Sequence, residues 1–169
     1  WQGNIEIEGT SASAISFSNL EHVTGGHIRV VSNPLLTSID LPSIVSLAGP
    51  ESYVRLQSNT QLETINVPDL ETVEGYLNVR QHDFLTSVDF PSLIRIGPDI
   101  PVEEIQTGPD LDYLQLYLNS ALTPVTFPNL ASVGGNIYLR QNAFETISFP
   151  ALTIVGPGLH MDTTASQVD

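Results

Sequence analysis

The chain has 169 residues, with five arginines, no lysine and 19 acidic residues, which give a formal net charge of −14 at pH 7. Nucleic acid and anionic membrane surfaces repel so acidic a chain, and we predict that it binds neither. The absence of cysteine excludes disulfides, thiolate chemistry and cysteine-based metal sites, and no apolar run approaches the length of a transmembrane helix.

Pairs of apolar residues, two positions apart, recur along the whole chain and open each of its repeated units. This two-residue periodicity is typical of a strand with one buried face. In chain order the pairs are Ile5/Ile7, Ile28/Val30, Val54/Leu56, Leu77/Val79, Leu114/Leu116, Ile137/Leu139 and Leu159/Met161. Each pair therefore predicts a short strand whose two apolar side chains point into a core.

A polar residue follows five of these pairs, three positions after the second apolar residue. In chain order these residues are Asn33, Asn59, His82, Asn119 and Asn142. We predict that they point inward at a turn, where the side chain satisfies backbone groups that would otherwise be buried without a partner. For His82 this role is favoured over metal ligation.

A second marker, apolar-Pro-x-apolar, closes the units and is usually followed by a glycine. It reads "LPSI" at 41–44, "VPDL" at 67–70, "FPSL" at 90–93, "FPNL" at 127–130 and "FPAL" at 149–152, and "FSNL" at 17–20 is the same element without proline. Proline cannot donate to a strand ladder, so it marks the end of a second short strand. The prolines of successive markers are separated by 26, 23, 37 and 22 residues. All of these spacings except 37 are typical lengths of a leucine-rich repeat.

One unit cannot bury its apolar side alone, but a stack of units forms a continuous core. We therefore predict an all-β, right-handed, leucine-rich-repeat or β-helix-like solenoid of about six coils of 22–26 residues. The sheets should be parallel, with little or no helix. We also predict that residues 1–169 form a single solenoid domain and that this domain is part of a larger chain or assembly. The long spacing predicts an inserted acidic loop at 97–112.

The repeated unit "LxxIxFPxLxxIGGxLxLxxN" resembles the receptor L-domain type of leucine-rich repeat. The stretch "VTFPNLASVGGNIYLRQNAFETISFPALTIVG" at 125–156 carries the resemblance best, and the pattern covers nearly the whole chain. Similar repeats occur in fungal, GPI-anchored cell-wall leucine-rich proteins and in related bacterial surface proteins. The resemblance implies an extracellular, non-enzymatic role at a cell surface or cell wall.

If the apolar pairs point inward, the residues between and beside them point outward on one face. This face holds all five tyrosines and four of the five arginines, but only three of the 19 acidic residues. Tyrosine and arginine are enriched at binding hot spots, although tyrosine ladders also simply stabilise sheets. The candidate binding residues are Arg29, Tyr53, Arg55, Gln57, Tyr76, Asn78, Arg80, Tyr113, Gln115, Tyr117, Tyr138 and Arg140.

These residues predict a non-enzymatic surface or cell-wall adhesion module that binds a glycan, with a protein partner as the other possibility. Two further functions stay open: a structural protein that assembles end to end through uncapped solenoid ends, and a glycoside hydrolase that works at Glu6 and Glu8. Those two carboxylates lie about 7 Å apart on one strand face, near the range of glycosidase pairs. An ion pair between Glu6 and Arg29 is the favoured alternative. No cofactor and no metal site are predicted.

Overall fold

The computed structural model of the protein describes residues 1–49, 51–98, 112–156, 158–162 and 167–168. The chain winds into successive turns, each made of up to three short strands. The first strands of the turns are β1 (Ile5–Glu8), β4 (Ile28–Val31), β7 (Tyr53–Gln57), β10 (Tyr76–Arg80), β13 (Asp112–Tyr117), β16 (Asn136–Arg140) and β19 (Leu159–Asp162). They pair in this order as one parallel sheet, the first sheet.

The other two sides of the solenoid are parallel sheets built in the same way. The second sheet contains β2 (Ala14–Ser16), β5 (Ser38–Asp40), β8 (Thr64–Asn66), β11 (Val88–Asp89), β14 (Val125–Thr126), β17 (Thr146–Ser148) and β20 (Gln167–Val168). The third sheet contains β3 (His22–Thr24), β6 (Ser46–Ala48), β9 (Thr72–Val73), β12 (Arg95–Ile96), β15 (Ser132–Val133) and β18 (Ile154–Val155).

Every strand pairs with the strand three places before and after it in the chain, so each turn of the solenoid stacks on the last. The predicted fold class is confirmed in these terms: an all-β solenoid of about six turns, with parallel sheets. The described residues contain no helix, and so no helix long and apolar enough to cross a membrane. The third sheet is an addition, because the sequence predicted only two short strands in each unit.

The five apolar pairs from Ile28/Val30 to Ile137/Leu139 are buried in the core, as predicted. The pairs of the two end strands are less buried: Ile5, Ile7 and Met161 are partly buried, and the prediction was wrong for Leu159, which is 51% exposed. In β7, Val54 and Leu56 are 5% and 2% exposed, while the residues on either side of them are half-buried. Burying a side chain of this size stabilises the fold by about 1.5–3 kcal/mol. At the corner after the second sheet, Phe90, Phe127 and Phe149 stack in parallel, with ring centroids 5.8 and 5.3 Å apart. The core is therefore a set of ladders of like residues that run along the solenoid.

The predicted inward-pointing polar residues form a ladder of their own, in which each rung bonds the turns beside it. Asn119 is fully buried, and its Nδ2 donates to Val79 O at 3.0 Å and to Asn142 Oδ1 at 3.1 Å. Its own Oδ1 accepts from the His82 amide at 3.3 Å. Buried backbone groups that lack partners cost free energy, so this ladder satisfies groups that water cannot reach.

His82 replaces asparagine in this ladder, and the predicted structural role is confirmed. Its Nε2 lies 3.2 Å from Leu56 O, the kind of strand carbonyl that an asparagine Nδ2 meets in the other turns, and its Nδ1 lies 3.1 Å from Asn59 O. Burial lowers the pKa of His82, although these two carbonyl contacts act in the opposite direction. Burial therefore disfavours the charged ring, and a neutral imidazole, which has one N–H, can donate to only one of the two carbonyls.

The residue before each of these polar rungs has a left-handed backbone. Ser32, Ser58, Gln81, Leu118 and Gln141 have φ between 53° and 62°. None of them is glycine or asparagine, the residues that adopt this backbone conformation most readily. The chain bends at this residue as it leaves the first sheet. The left-handed conformation recurs at the equivalent position in five successive turns of the solenoid.

The outward face of the second sheet is polar. Ser16, Asn66, Asp89 and Thr126 are exposed, and the Asn66 Nδ2 donates to the Asp40 carboxylate at 2.6 Å.

Most of the predicted acidic insertion, residues 99–111, lies outside the described residues, so its loop structure stays a prediction. Its last residue, Asp112, begins β13, which brings the acidic residues on the described strands of the first sheet to four: Glu6, Glu8, Asp112 and Asp162.

Candidate functional site

The outward face of the first sheet carries the predicted binding residues in rows that cross the strands. The register places Tyr53 beside Tyr76, Arg55 beside both Arg29 and Asn78, and Gln57 beside Arg80. All five tyrosines and four of the five arginines lie on strands of this sheet. The parallel, in-register stacking therefore brings together side chains that are 21 to 37 residues apart in the chain.

Aromatic side chains in the first row stack closely on one another. The rings of His27 and Tyr53 are 4.1 Å apart at 11°, and those of Tyr53 and Tyr76 are 4.5 Å apart at 5°. Both faces of Tyr53 are thus covered by neighbouring rings, and burial raises the pKa of both tyrosines. A ligand at Tyr53 meets a ring edge and a hydroxyl rather than an open ring face, which favours polar recognition over stacking.

Two guanidinium groups converge on one amide oxygen at the centre of the face. Arg55 Nε donates to Gln57 Oε1 at 2.8 Å, and Arg80 Nη2 donates to the same oxygen at 2.7 Å. A second nitrogen of Arg55, Nη2, also donates to it. The Gln57 amide is itself held by Gln81 Oε1, which accepts from Gln57 Nε2 at 3.0 Å. We call Arg55 and Arg80 the arginine pair.

The arginine pair is an unbalanced concentration of positive charge. Neither guanidinium forms an ion pair with a carboxylate in the part of the chain that the structure describes. Burial lowers the pKa of Arg80, and the nearby charge of Arg55 lowers it further. Arg80 Nε is buried and has no hydrogen-bond acceptor. The arginine pair therefore lacks a negatively charged partner that would balance its two positive charges.

Asn78 was predicted to be exposed on the binding face, and this prediction was wrong. It lies on the outward side of β10 but is only 9% exposed, because the longer side chains of the neighbouring strands cover it. Its Nδ2 donates to Gln115 Oε1, while its Oδ1 is buried without a partner. Asn78 and Gln115 thus form the floor of the face beside the arginine pair, rather than part of its exposed rim.

The first two strands of the face are joined by a hydrogen-bonding contact and an ion pair. Glu6 Oε1 lies 3.1 Å from His27 Nε2, and Glu8 Oε2 lies 2.6 Å from Arg29 Nη1. The sequence placed Glu6 beside Arg29, which the register confirms, but the predicted ion pair was wrong because Arg29 reaches diagonally to Glu8 instead. The Arg29 guanidinium lowers the pKa of Glu8, which opposes the raised pKa that a glycosidase general acid needs.

Tyr113 departs from its predicted place in the row of tyrosines. The pairing of β13 with β16 shifts between Asp112 and Leu114, so Tyr113 is the extra residue of a bulge and has no partner in the ladder. It packs against the core near Gly97, where the inserted segment begins. The aromatic stack of His27, Tyr53 and Tyr76 accordingly does not extend to Tyr113.

Beyond the bulge, the aromatic residues meet at their edges. Tyr117 and Tyr138 are 6.0 Å apart at 68°, and the guanidinium carbon of Arg140 lies 5.5 Å from the centre of the Tyr138 ring. A depression of about 300 Å³ borders this end of the face, lined by Tyr138, Arg140, Leu159, His160 and Met161. The face therefore has two parts: a charged centre at the arginine pair and an aromatic end.

Comparisons with protein-family models, with curated proteins and with solved structures give no match. The resemblance to receptor L-domain repeats and to cell-wall leucine-rich proteins therefore stays a prediction. Among the residues that the structure describes, no group of three or more histidine, aspartate and glutamate side chains could hold a metal ion.

The sequence identified the residues of the face but missed the contact at its centre. Arg55 and Gln57 are two positions apart and so share a face, and the alignment of the repeats puts Gln57 beside Arg80. This information was sufficient to predict that the two arginines share one glutamine. The bulge at Tyr113 had a weaker signal, the insertion that immediately precedes it.

Proposed function

We propose that this chain is a non-enzymatic binding module that holds an extended sugar chain on the outward face of the first sheet. The observation that carries the proposal is the concentration of tyrosine and arginine on this sheet, while most of the 19 acidic residues lie elsewhere. In so acidic a protein, this separation creates a local surface with a different charge from the rest. The resemblance stated above favours a location at a cell surface or cell wall.

The shape and chemistry of the face support a sugar chain as the ligand. Seven strands at a spacing of about 4.8 Å give a continuous surface on the order of 30 Å long, which suits an extended polymer. Arginine guanidinium groups, glutamine and asparagine amides and tyrosine hydroxyls line it, and these are donors and acceptors for hydroxyl groups. A protein partner that presents an extended strand is the alternative ligand.

The other functions predicted from the sequence have weaker support. Glu6 contacts His27 and Glu8 forms an ion pair with Arg29, which favours a structural role for both carboxylates over glycoside hydrolysis. A hydrolase that used them would lose its activity in the variants Glu6→Gln and Glu8→Gln. End-to-end assembly of solenoids stays a prediction.

Retention of the protein on a panel of immobilised neutral and acidic wall polysaccharides tests the proposal. We expect retention on at least one polysaccharide and a loss of roughly fivefold or more in affinity in the double variant Tyr53→Phe/Tyr76→Phe. These substitutions remove two hydroxyls but keep the stacked rings, so they separate binding from folding better than alanine would.

The second sheet provides a matched control for this experiment. Asn66→Ala changes an exposed polar residue on a different side of the solenoid and should leave retention unchanged. Absence of retention on every polysaccharide would refute the proposal, and so would an equal loss in the Asn66→Ala protein, because binding would then not depend on the first sheet.

A further inference from the structure

The charges of the first sheet are paired at one end and unpaired at its centre. Arg29 has Glu8 at 2.6 Å, whereas Arg55 and Arg80 share the neutral oxygen of Gln57. The Arg55 Nε and Arg80 Nη2 atoms are no further apart than these two hydrogen bonds together. Two like charges at this separation repel each other, and partial burial weakens the screening of that repulsion by water.

The surroundings of the arginine pair hold unused hydrogen-bonding capacity. Arg80 Nε has no acceptor, and Asn78 Oδ1, two residues earlier on β10, has no donor, although both atoms are buried. Buried polar atoms without partners are rare in folded proteins and each costs free energy. A group that carries negative charge and several acceptor oxygens would relieve the repulsion and offer an acceptor to Arg80, whereas Asn78 Oδ1 needs a donor. Guanidinium groups bind carboxylates and oxyanions through paired, charge-assisted hydrogen bonds.

We propose that Arg55 and Arg80 form a subsite for one carboxylate or sulfate group of an acidic sugar chain. This inference rests on the function proposed above and names the class of ligand. The Gln57 amide oxygen occupies the place that an anionic oxygen takes when the ligand binds. Asn78 and Gln115 line the floor beside the subsite, and the edges of the Tyr53 and Tyr76 rings form its wall.

The charge of the rest of the molecule limits the kind of acidic ligand. The chain carries a net charge of −14, and Glu6 and Glu8 lie on the same face two strands from the arginine pair. A polymer with a charge on every sugar would be repelled by most of this surface. A chain with widely spaced acidic groups places one of them at the arginine pair and neutral sugars elsewhere. We therefore expect a preference for low charge density.

Matched polysaccharides that differ only in charge test the subsite. The first pair is polygalacturonate of about 30% free carboxylate and its fully methyl-esterified form, and the second is dextran sulfate of low substitution and dextran. We expect the acidic member of one pair to bind roughly tenfold or more tightly than its neutral partner. The pair that shows this preference identifies the bound group as carboxylate or sulfate. Raising the salt concentration should reduce this preference.

Three arginine variants locate the effect. Arg80→Gln and Arg55→Gln should each weaken binding to the acidic member by roughly tenfold and reduce its preference over the neutral member. Arg95→Gln removes the same charge from the third sheet, where Arg95 Nη1 donates to Gly97 O, and should have little effect. Thermal unfolding provides the folding control: the Arg80→Gln protein should unfold at a temperature no lower than the parent, since it loses an unpaired, partly buried charge.

The outcomes separate this inference from the proposed function. Equal binding to acidic and neutral members, unchanged in the Arg55 and Arg80 variants, would overturn the subsite but leave the sugar-binding function standing. An equal loss in the Arg95→Gln protein would also overturn it, because net charge alone would then explain the preference. Failure to bind any polysaccharide in this set or in the wider panel would overturn both proposals.

Discussion

Replacing Asn119 with alanine should lower the free energy of unfolding by about 3–5 kcal/mol, a large share of the stability of a domain of this size. The substitution removes two donated hydrogen bonds, to Val79 O and Asn142 Oδ1, and the acceptor of the His82 amide. Asn119 is fully buried, so water cannot replace these partners. Each buried group left unsatisfied costs about 1–3 kcal/mol, and the lost side-chain volume adds to this.

Urea denaturation followed by circular dichroism measures this change. The control is Asn129→Ala, which removes an exposed asparagine whose Nδ2 donates to Pro91 O at 2.7 Å. That substitution should change the free energy of unfolding by about 0.5 kcal/mol or less, since water can replace the lost bond. If the two variants lost the same small amount, the inward ladder would not be a main source of stability.

Gly75→Ala should lower the free energy of unfolding by about 2–3 kcal/mol for a steric reason. Gly75 lies at the corner just before β10, against Ser52 at the same corner of the preceding turn. A Cβ atom added at Gly75 would lie 1.6 Å from Ser52 O and 2.8 Å from Ser52 C. The obstacle is backbone rather than a flexible side chain, so two turns of the solenoid would have to move apart.

Gly134→Ala is the matched control for this clash. The added Cβ would have no neighbour closer than 3.4 Å, from Gly97 Cα and Pro98 Cδ, which is ordinary contact, and Gly134 does not have a left-handed backbone. Its free energy of unfolding should stay within about 0.5 kcal/mol of the parent. A loss as large as that of Gly75→Ala would show that glycine is needed at this corner for its flexibility and not for space.

The sequence predicted the parts of the fold that depend on side-chain chemistry. Val54 and Leu56 alternate with polar residues, so their burial follows from the two-residue period of a strand. Asn59 and Asn119 recur at a fixed distance from such pairs, and a polar residue at a fixed place in an apolar unit must satisfy backbone groups. These signals repeat in nearly every turn, which is why the register could be assigned along almost the whole chain.

The parts that the sequence did not predict depend on backbone geometry. The strands of the third sheet are two or three residues long, too short for a two-residue period to be visible. The left-handed residues, such as Ser58 and Leu118, are not glycine or asparagine, so residue type did not mark them. At the site, the bulge at Tyr113 moves one side chain out of a row that residue spacing alone makes continuous.

The stacking of the aromatic row changes the kind of binding that the face supports. Tyrosine on an outward face suggests an open ring on which a sugar can stack, but His27 and Tyr76 cover both faces of Tyr53. Recognition at this part of the face therefore depends on hydrogen bonds and charge, which the arginine pair supplies. The rings of Tyr117 and Tyr138, which meet at their edges, are better placed for apolar contact with a sugar.

If the proposed function is correct, the outward face of the first sheet is the binding surface of this protein. Mapping of backbone amide shifts by NMR, during titration with the polysaccharide fragment that binds most tightly, locates that surface. We predict the largest changes in β7 and β10, around Arg55, Gln57 and Arg80, and almost none in the second sheet. Changes concentrated in the second or third sheet, with β7 and β10 unaffected, would contradict the claim.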